Sequence, residues 1–408
     1  MANEHEQNGG LLQAIKQLFT NRNFIIMMLI STFNTAGQVF IKTPTSLFGS
    51  SLGMHPATLG AITGTYYLIC TICRPITGPL IDRFNKKAVL TFCMLVKLSS
   101  YILFVFTTNP TMFTIARYID GAAFCLCTTC FLTVSSSLVD KKAMGTGIAI
   151  YGAFPSVVTM FIPSISMVVY ETMGAQSVFI VGAVLLCIAI ILIQTLNFKN
   201  TVLPQRPVAR KKFSFSDVFY LPVVPVAILT FCLGMLLTVN DTYLLLMCEE
   251  RGISGGAIFF SVQSATALVA RLLGGIGSDK FGVKGILIFG CISTAIASIL
   301  LGTASGVPVL VLCAVLYVLA QKGCDPVIIK GCSLIAPPEK RGAAISTNYF
   351  IFDLAGTFAG YICSFLFSRL GYSGMYYVAA IFPMAGMIWM LLSYKKTFGR
   401  VEVSQPKA

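Results

Sequence analysis

The sequence predicts an all-α membrane protein, with twelve transmembrane helices arranged as two pseudo-symmetric six-helix bundles. Three observations carry that expectation. Of 408 residues, 56% are apolar and 11% charged, against roughly 25% charged in soluble domains, so water cannot be the main solvent of the surface. Apolar runs of about 20 residues, enough to span a bilayer, recur along the whole chain. The turn Gly78-Pro79-Leu80-Ile81-Asp82-Arg83-Phe84-Asn85-Lys86-Lys87 recurs as Gly275-Ile276-Gly277-Ser278-Asp279-Lys280-Phe281-Gly282-Val283-Lys284. Arg74 and Arg271 stand at the same place before each aspartate, and the offset from 82 to 279 is about half the chain.

The elements follow in order. Residues 1–23 are polar and lack the short apolar run and cleavage site of a signal peptide. Within them Leu11, Leu12, Ile15, Leu18 and Phe19 keep helical spacing, which suits a short helix on the membrane surface. The first bundle, 24–197, holds runs at 24–47, 58–79, 88–108, 111–138, 144–169 and 177–197. A basic linker, 198–221, breaks the pattern with Pro204-Gln205-Arg206-Pro207 and Arg210-Lys211-Lys212. The second bundle, 222–393, holds runs at 222–247, 257–277, 284–303, 307–335, 342–368 and 372–393, and 394–408 is a polar tail. The runs are continuous, which excludes the period-two alternation of a membrane β-barrel.

With twelve spans, the termini and even-numbered loops share one side. They hold twenty of the 29 Lys and Arg, while the opposite loops hold only Arg251 and Arg369. That bias places both termini in the cytoplasm and the protein, multi-pass, in the cytoplasmic (inner) membrane. The net charge of +14 is scattered among short turns, so nucleic acid is not an expected partner. The fourteen cysteines lie nearly all inside the runs and form no disulfide framework. The cluster Cys125-Leu126-Cys127-Thr128-Thr129-Cys130, like Cys70 and Cys73, reads first as small residues at helix contacts and second as a soft-metal site. No metal or cofactor is expected.

Over essentially its whole length the chain resembles the major facilitator superfamily, as a bacterial-type permease. The family's loop motif, approximately G-x-L-x-D-R-x-G-R-K, is matched by Gly78, Leu80, Asp82, Arg83, Lys86 and Lys87, with Asn85 where glycine is usual. The second copy keeps Gly275, Asp279, Lys280, Gly282 and Lys284. Arg117-Tyr118-Ile119-Asp120-Gly121 resembles the R-x-x-x-G pattern of the fourth helix, and Gly147, Gly152 and Pro155 hint at the fifth-helix antiporter motif. The resemblance implies a secondary transporter working by alternating access. It also implies a cytoplasmic gate made by Arg74, Asp82, Arg83, Arg271 and Asp279.

Charges inside spans are costly and therefore face protein or a wet cavity. The tenth run carries Lys322, Asp325 and Lys330. Lys322 with Asp325, and Arg117 with Asp120, are three apart and can each pair with itself. Asn34, Gln38 and Lys42 form one polar stripe on the first helix, which either lines a cavity or packs with satisfied amides. Aligning Gly53 with Gly252 sets Lys42 opposite Asp241 on the seventh helix, where the fold brings the two together as an outer gate pair. Asp353 lies midway along the eleventh run without an obvious local cation. It leads the candidate proton carriers, followed by Asp241 and Asp120; its plain alternative is a pair with Lys322 or Lys330.

The expected substrate-binding set is Asn34, Gln38, Lys42, Arg117, Asp241, Tyr243, Lys322, Asp325 and Tyr349. Lys97 stands behind Lys42, Arg117 and Lys322 among the cavity cations. Three cations beside amides and tyrosines suit a small organic anion or amphiphile. The alternative is a cationic-drug–proton antiporter. A sensor or receptor is the weaker third reading, because the termini are short. No catalytic residues, and hence no enzyme, are expected. The expected partners are the bilayer, a small solute and a proton, with the chain a monomer, as symporter or antiporter.

Overall fold

In a computed structural model, the structure describes residues 20–138, 151–152, 154–197, 219–337 and 340–394, without the side chains of 76, 78–83, 132, 136–137 and 271–282. Every regular element among them is helical. The first half contains α1 (Arg22–Ser51), α2 (Pro56–Arg83), α3 (Lys86–Val105), α4 (Pro110–Ser137), α5 (Ile162–Met173) and α6 (Ala175–Gln194). The second contains α7 (Val224–Glu250), α8 (Ile258–Gly302), α9 (Val307–Ile335), α10 (Arg341–Ala379) and α11 (Ile381–Ser393). Asparagine side chains cap the starts of three of these. Asn21 accepts from the amides of Asn23 and Phe24, Asn85 from that of Lys87, and Asn109 from that of Met112, ahead of Pro110.

Nine stretches among the described residues are long and apolar enough to cross a membrane. Three of the twelve expected spans account for the difference. The run 144–169 lies partly outside the described residues, and its helix α5 reaches Met173. Spans eight and nine form one helical stretch, α8, of 45 residues. Straight, that helix would be roughly 68 Å long, more than twice the hydrocarbon thickness. Yet both of its arms reach the same turn of α9. The Ala270 carbonyl lies 3.9 Å from where a Gly323 side chain would begin, and Cys324 Sγ donates to the Ile286 carbonyl at 3.6 Å. The chain therefore doubles back between them. Spans eleven and twelve are likewise one apolar stretch, broken at Gly371 (φ 64°), where only glycine takes the left-handed conformation easily.

Large apolar side chains such as Phe92, Phe106, Ile191, Ile299, Phe365 and Leu392 point outward, which water would penalise and acyl chains accept. Internal prolines of α1 and α9 interrupt the helical hydrogen-bond ladder. In α1, Pro44 cannot donate to the Phe40 carbonyl, and Ser166 Oγ from α5 donates to that oxygen instead, at 2.5 Å. In α9, Pro326 leaves the carbonyl of Lys322 without its helical donor. The halves meet along α2 with α10, α5 with α8 and α1 with α7.

Candidate solute-binding site

The contacts between halves concentrate toward the end of the molecule that bears the turns at 52–55 and 251–257, here termed the distal end. Ser364 of α10 donates to the Ala57 carbonyl at 2.6 Å, and Thr65 meets Tyr361 at 2.8 Å. Gly60 and Gly64 of α2 face Gly356 and Gly360 of α10 so closely that a side chain on Gly360 would overlap Gly64. Tyr67 lies against Gly356, and the Tyr243 ring against Gly60. Tyr243 is thus packed in this seal, 1% exposed beside Phe367 and Tyr372, rather than facing a cavity.

Among the described residues, two ion pairs cross the interface. Lys42 Nζ of α1 donates to Asp241 Oδ2 of α7 at 2.5 Å, the pair that the internal alignment sets opposite one another. Arg74 donates from Nε and NH2 to Asp353 Oδ2, both at 2.5 Å. That second pair corrects the expectation for Asp353. Asp353 has a cation after all, from the other half; neither Lys322 nor Lys330 serves it. Arg74, expected in the cytoplasmic gate, lies two helical turns before Asp82 on α2, level with α10 and 5.8 Å from the Tyr349 ring centre. The side chains of Asp82, Arg83, Arg271 and Asp279 lie outside the described residues.

Two further pairs form within single helices, Lys322 with Asp325 at 3.0 Å and Arg117 with Asp120 at 3.3 Å. Arg117 also lies 4.4 Å over the Tyr66 ring. Gly121 makes that approach possible, because a side chain there would come within 2.9 Å of the Tyr66 carbonyl.

The polar stripe of α1 divides. Asn34 and Gln38 turn toward α3, where Lys97 Nζ donates to Asn34 Oδ1 at 2.8 Å and Gln38 Oε1 at 3.3 Å. Lys42, a turn further on, faces a cavity of about 230 Å3 between the halves. Asp241 and Lys322 share its wall with Thr43, Ser156, Thr159, Gln263 and Ser264. Apolar Val39, Leu237, Phe260 and Val318 complete it. The hydroxyls and Gln263 escaped sequence reasoning; the available signal was polar side chains inside otherwise apolar runs. Lys97, placed behind the other cations as a cavity residue, is fully buried and does not line this cavity. Cys127 and Cys130 contact Met94 and Cys93 of α3, and no group of three or more His, Cys, Asp or Glu gathers among the described residues.

The family model described as Major Facilitator Superfamily matches residues 18–265 and 226–407. The chain belongs to the major facilitator superfamily. It is a multi-pass membrane transporter and not an enzyme. A curated relative, the staphylopine export protein of Staphylococcus aureus (strain Mu50), is 20% identical over 91% of this chain and 95% of its own. The aspyridones efflux protein apdF of Emericella nidulans is 25% identical over 68% of this chain and 57% of its own. Among solved structures, the nucleoside transporter NupG superposes with a TM-score of 0.71 at 15% identity, covering 92% of this chain and 99% of that one. A POT family transporter bound to a thioalcohol-conjugated peptide gives 0.79 at 13%, covering 92% and 96%. An inward-facing, unoccupied bacterial homolog of the lysosomal transporter Spinster gives 0.72 at 14%, covering 93% and 97%. These structural likenesses establish the superfamily fold.

Proposed function

We propose that this transporter moves a small organic anion or amphiphile across the cytoplasmic membrane by proton-coupled alternating access. Its two bundles, 24–197 and 222–393, rock about the cavity, as in other transporters built from parallel repeats. Both termini and the linker 198–221 are cytoplasmic and the distal end faces outward, and the sealed distal interface supports an inward-open reading of the described state. In the opposite state the turn residues Asp82, Arg83, Arg271 and Asp279 latch the cytoplasmic end. The chain acts as a monomer.

The cavity wall is the observation that carries the substrate class. It offers Lys42 and Lys322 against one wall acid, Asp241, with apolar surface beside them. A solute's negative group takes Asp241's place on Lys42, and its apolar part lies against Val39, Leu237 and Phe260. Asp241, deprived of its counter-ion in a low-dielectric site, then takes up a proton. Solute and proton thus bind together, which is the logic of symport. Asp353 and Asp120 are further proton candidates, each held by an arginine that keeps its charge.

A second reading, cationic-drug–proton antiport, draws on the two curated relatives being efflux proteins. It requires solute and proton to compete for Asp241. Proteoliposomes under an imposed pH gradient separate the two readings. Radiolabelled naphthalenesulfonate should accumulate at least tenfold down the proton gradient, and tetraphenylphosphonium should not respond. Countertransport of tetraphenylphosphonium with naphthalenesulfonate inert would reverse the assignment.

A further inference from the structure

Lys97 is 0% exposed, the most deeply buried charged side chain among the described residues, and the transport reading leaves it without a role. Its Nζ has two acceptors, Asn34 Oδ1 and Gln38 Oε1, both neutral. Two N–H bonds are the number a neutral amine makes; an ammonium carries a third. A third acceptor is at hand. Asp120 is 5% exposed, its Oδ2 takes Arg117, and its buried Oδ1 has no partner. The antiparallel contacts Cys93 with Cys130, Met94 with Cys127 and Phe104 with Phe113 set the register of α3 on α4. That register sets Lys97 level with Ala123, one helical turn of α4 from Asp120, and Lys97 acts electrostatically on Asp120.

The other groups facing Lys97 are few. Tyr101 on its own helix has its ring 5.9 Å away, and Cys127 and Arg117 approach from α4. Lys42, a turn along α1 from Gln38, joins them in acting on Asp120. With Lys97 charged, Lys97, Arg117 and Asp120 sum to one uncompensated positive charge in a sealed pocket; with Lys97 neutral they balance.

We propose that Lys97 is a proton-binding site of the transport cycle. When neutral it holds Asn34 and Gln38 by two hydrogen bonds. When protonated it adds a bond to Asp120 Oδ1, loosening the hold of that carboxylate on Arg117. The proton comes from and returns to water, and no other bond is made or broken. The inference rests on the proton-coupled reading above and adds to it a station no acidic residue provides.

The test uses the full-length protein in proteoliposomes on a solid-supported membrane, with substrate-free pH jumps as the only probe. Proton binding to a buried group displaces charge and gives a transient current. The wild type should show the transient. Lys97→Met should lose at least half of the displaced charge, and Lys97→Gln, a neutral amide donor that cannot titrate, should lose as much with an unchanged melting temperature. Lys97→Gln keeps the test decisive if Lys97→Met fails to fold. A wild-type transient retained in full by either folded variant overturns the role of Lys97 and leaves proton coupling standing. A wild type with no transient overturns both.

Discussion

Breaking the Lys42–Asp241 pair should open the distal end. The pair spans the halves at 2.5 Å, with side-chain exposures of 34% for Lys42 and 7% for Asp241. Two unit charges about 4 Å apart interact by ~4 kcal/mol at an effective dielectric of about 20. Desolvating the aspartate and the screening of a lysine that is one-third exposed remove a good part of that. A net coupling of ~1.5–3 kcal/mol remains, which is a shift of roughly 10- to 150-fold between distal-closed and distal-open states. The assay needs a reporter cysteine, and the fourteen native cysteines favour it: Cys187 is the exposed one, and Cys73 is half-buried. On a Cys187→Ser background, Val39→Cys places a thiol on the cavity wall. An impermeant maleimide added from the distal side should label it at least tenfold faster when Asp241→Asn is introduced. Lys42→Asp with Asp241→Lys should return the rate to within about twofold of the parent. Equal rates in parent and single variant, or no recovery in the swap, would refute the gate.

Three further outcomes follow from the geometry. Gly360→Val drives a branched side chain into Gly64. It should prevent distal closure, raising distal labelling of Val39→Cys and reducing net transport at least tenfold while the protein still folds. Asp353→Asn leaves the buried guanidinium of Arg74 uncompensated and should cost about 3–5 kcal/mol, read from unfolding in detergent, with the double variant Arg74→Gln/Asp353→Asn recovering most of it. Arg251 donates to the carbonyls of Leu301, Gly302 and Ala304 and to Ser373 Oγ, closing the end of α8 onto α10. Arg251→Ala should therefore destabilise the fold by about 2–3 kcal/mol without altering the labelling rate of Val39→Cys.

That arginine also shows where sequence reasoning was strong and where it ran out. Arg251 is one of two cations against the loop charge bias, and the structure accounts for the exception: it caps a helix's free carbonyls. The helical membrane fold was legible from composition, and the Lys42–Asp241 pair was legible because repetition fixes equivalent positions without knowledge of packing. Arg74 with Asp353 was not, since equivalence relates Arg74 to Arg271, and nothing local brings α2 to α10. What brings them together is the small-residue contact of Gly60 and Gly64 with Gly356 and Gly360. Spacing of four glycine-to-glycine on both helices was readable, but its partner was not.

Both cross-interface pairs have the same polarity. The cations, Lys42 and Arg74, belong to the first half, and the anions, Asp241 and Asp353, to the second. Lys97 and Arg117 add to the first half's excess, and only Asp120 offsets them among the buried groups. The halves are thus held by a directional attraction that an anionic solute between them weakens, because it takes a first-half cation away from a second-half carboxylate. A cationic solute would act from the other side, on the carboxylates, and would leave two cations facing one another across its site. This asymmetry predicts which partner of each pair matters to solute. Lys42→Gln should abolish stabilisation by naphthalenesulfonate, whereas Asp241→Asn should preserve or strengthen it, since the competing carboxylate is gone. Thermal unfolding of the purified protein with and without the sulfonate measures both, because only a ligand that prefers the native state raises the midpoint. Equal loss in the two variants would mean the pair acts only as a strut, and the charge polarity of the interface would carry no information about the solute.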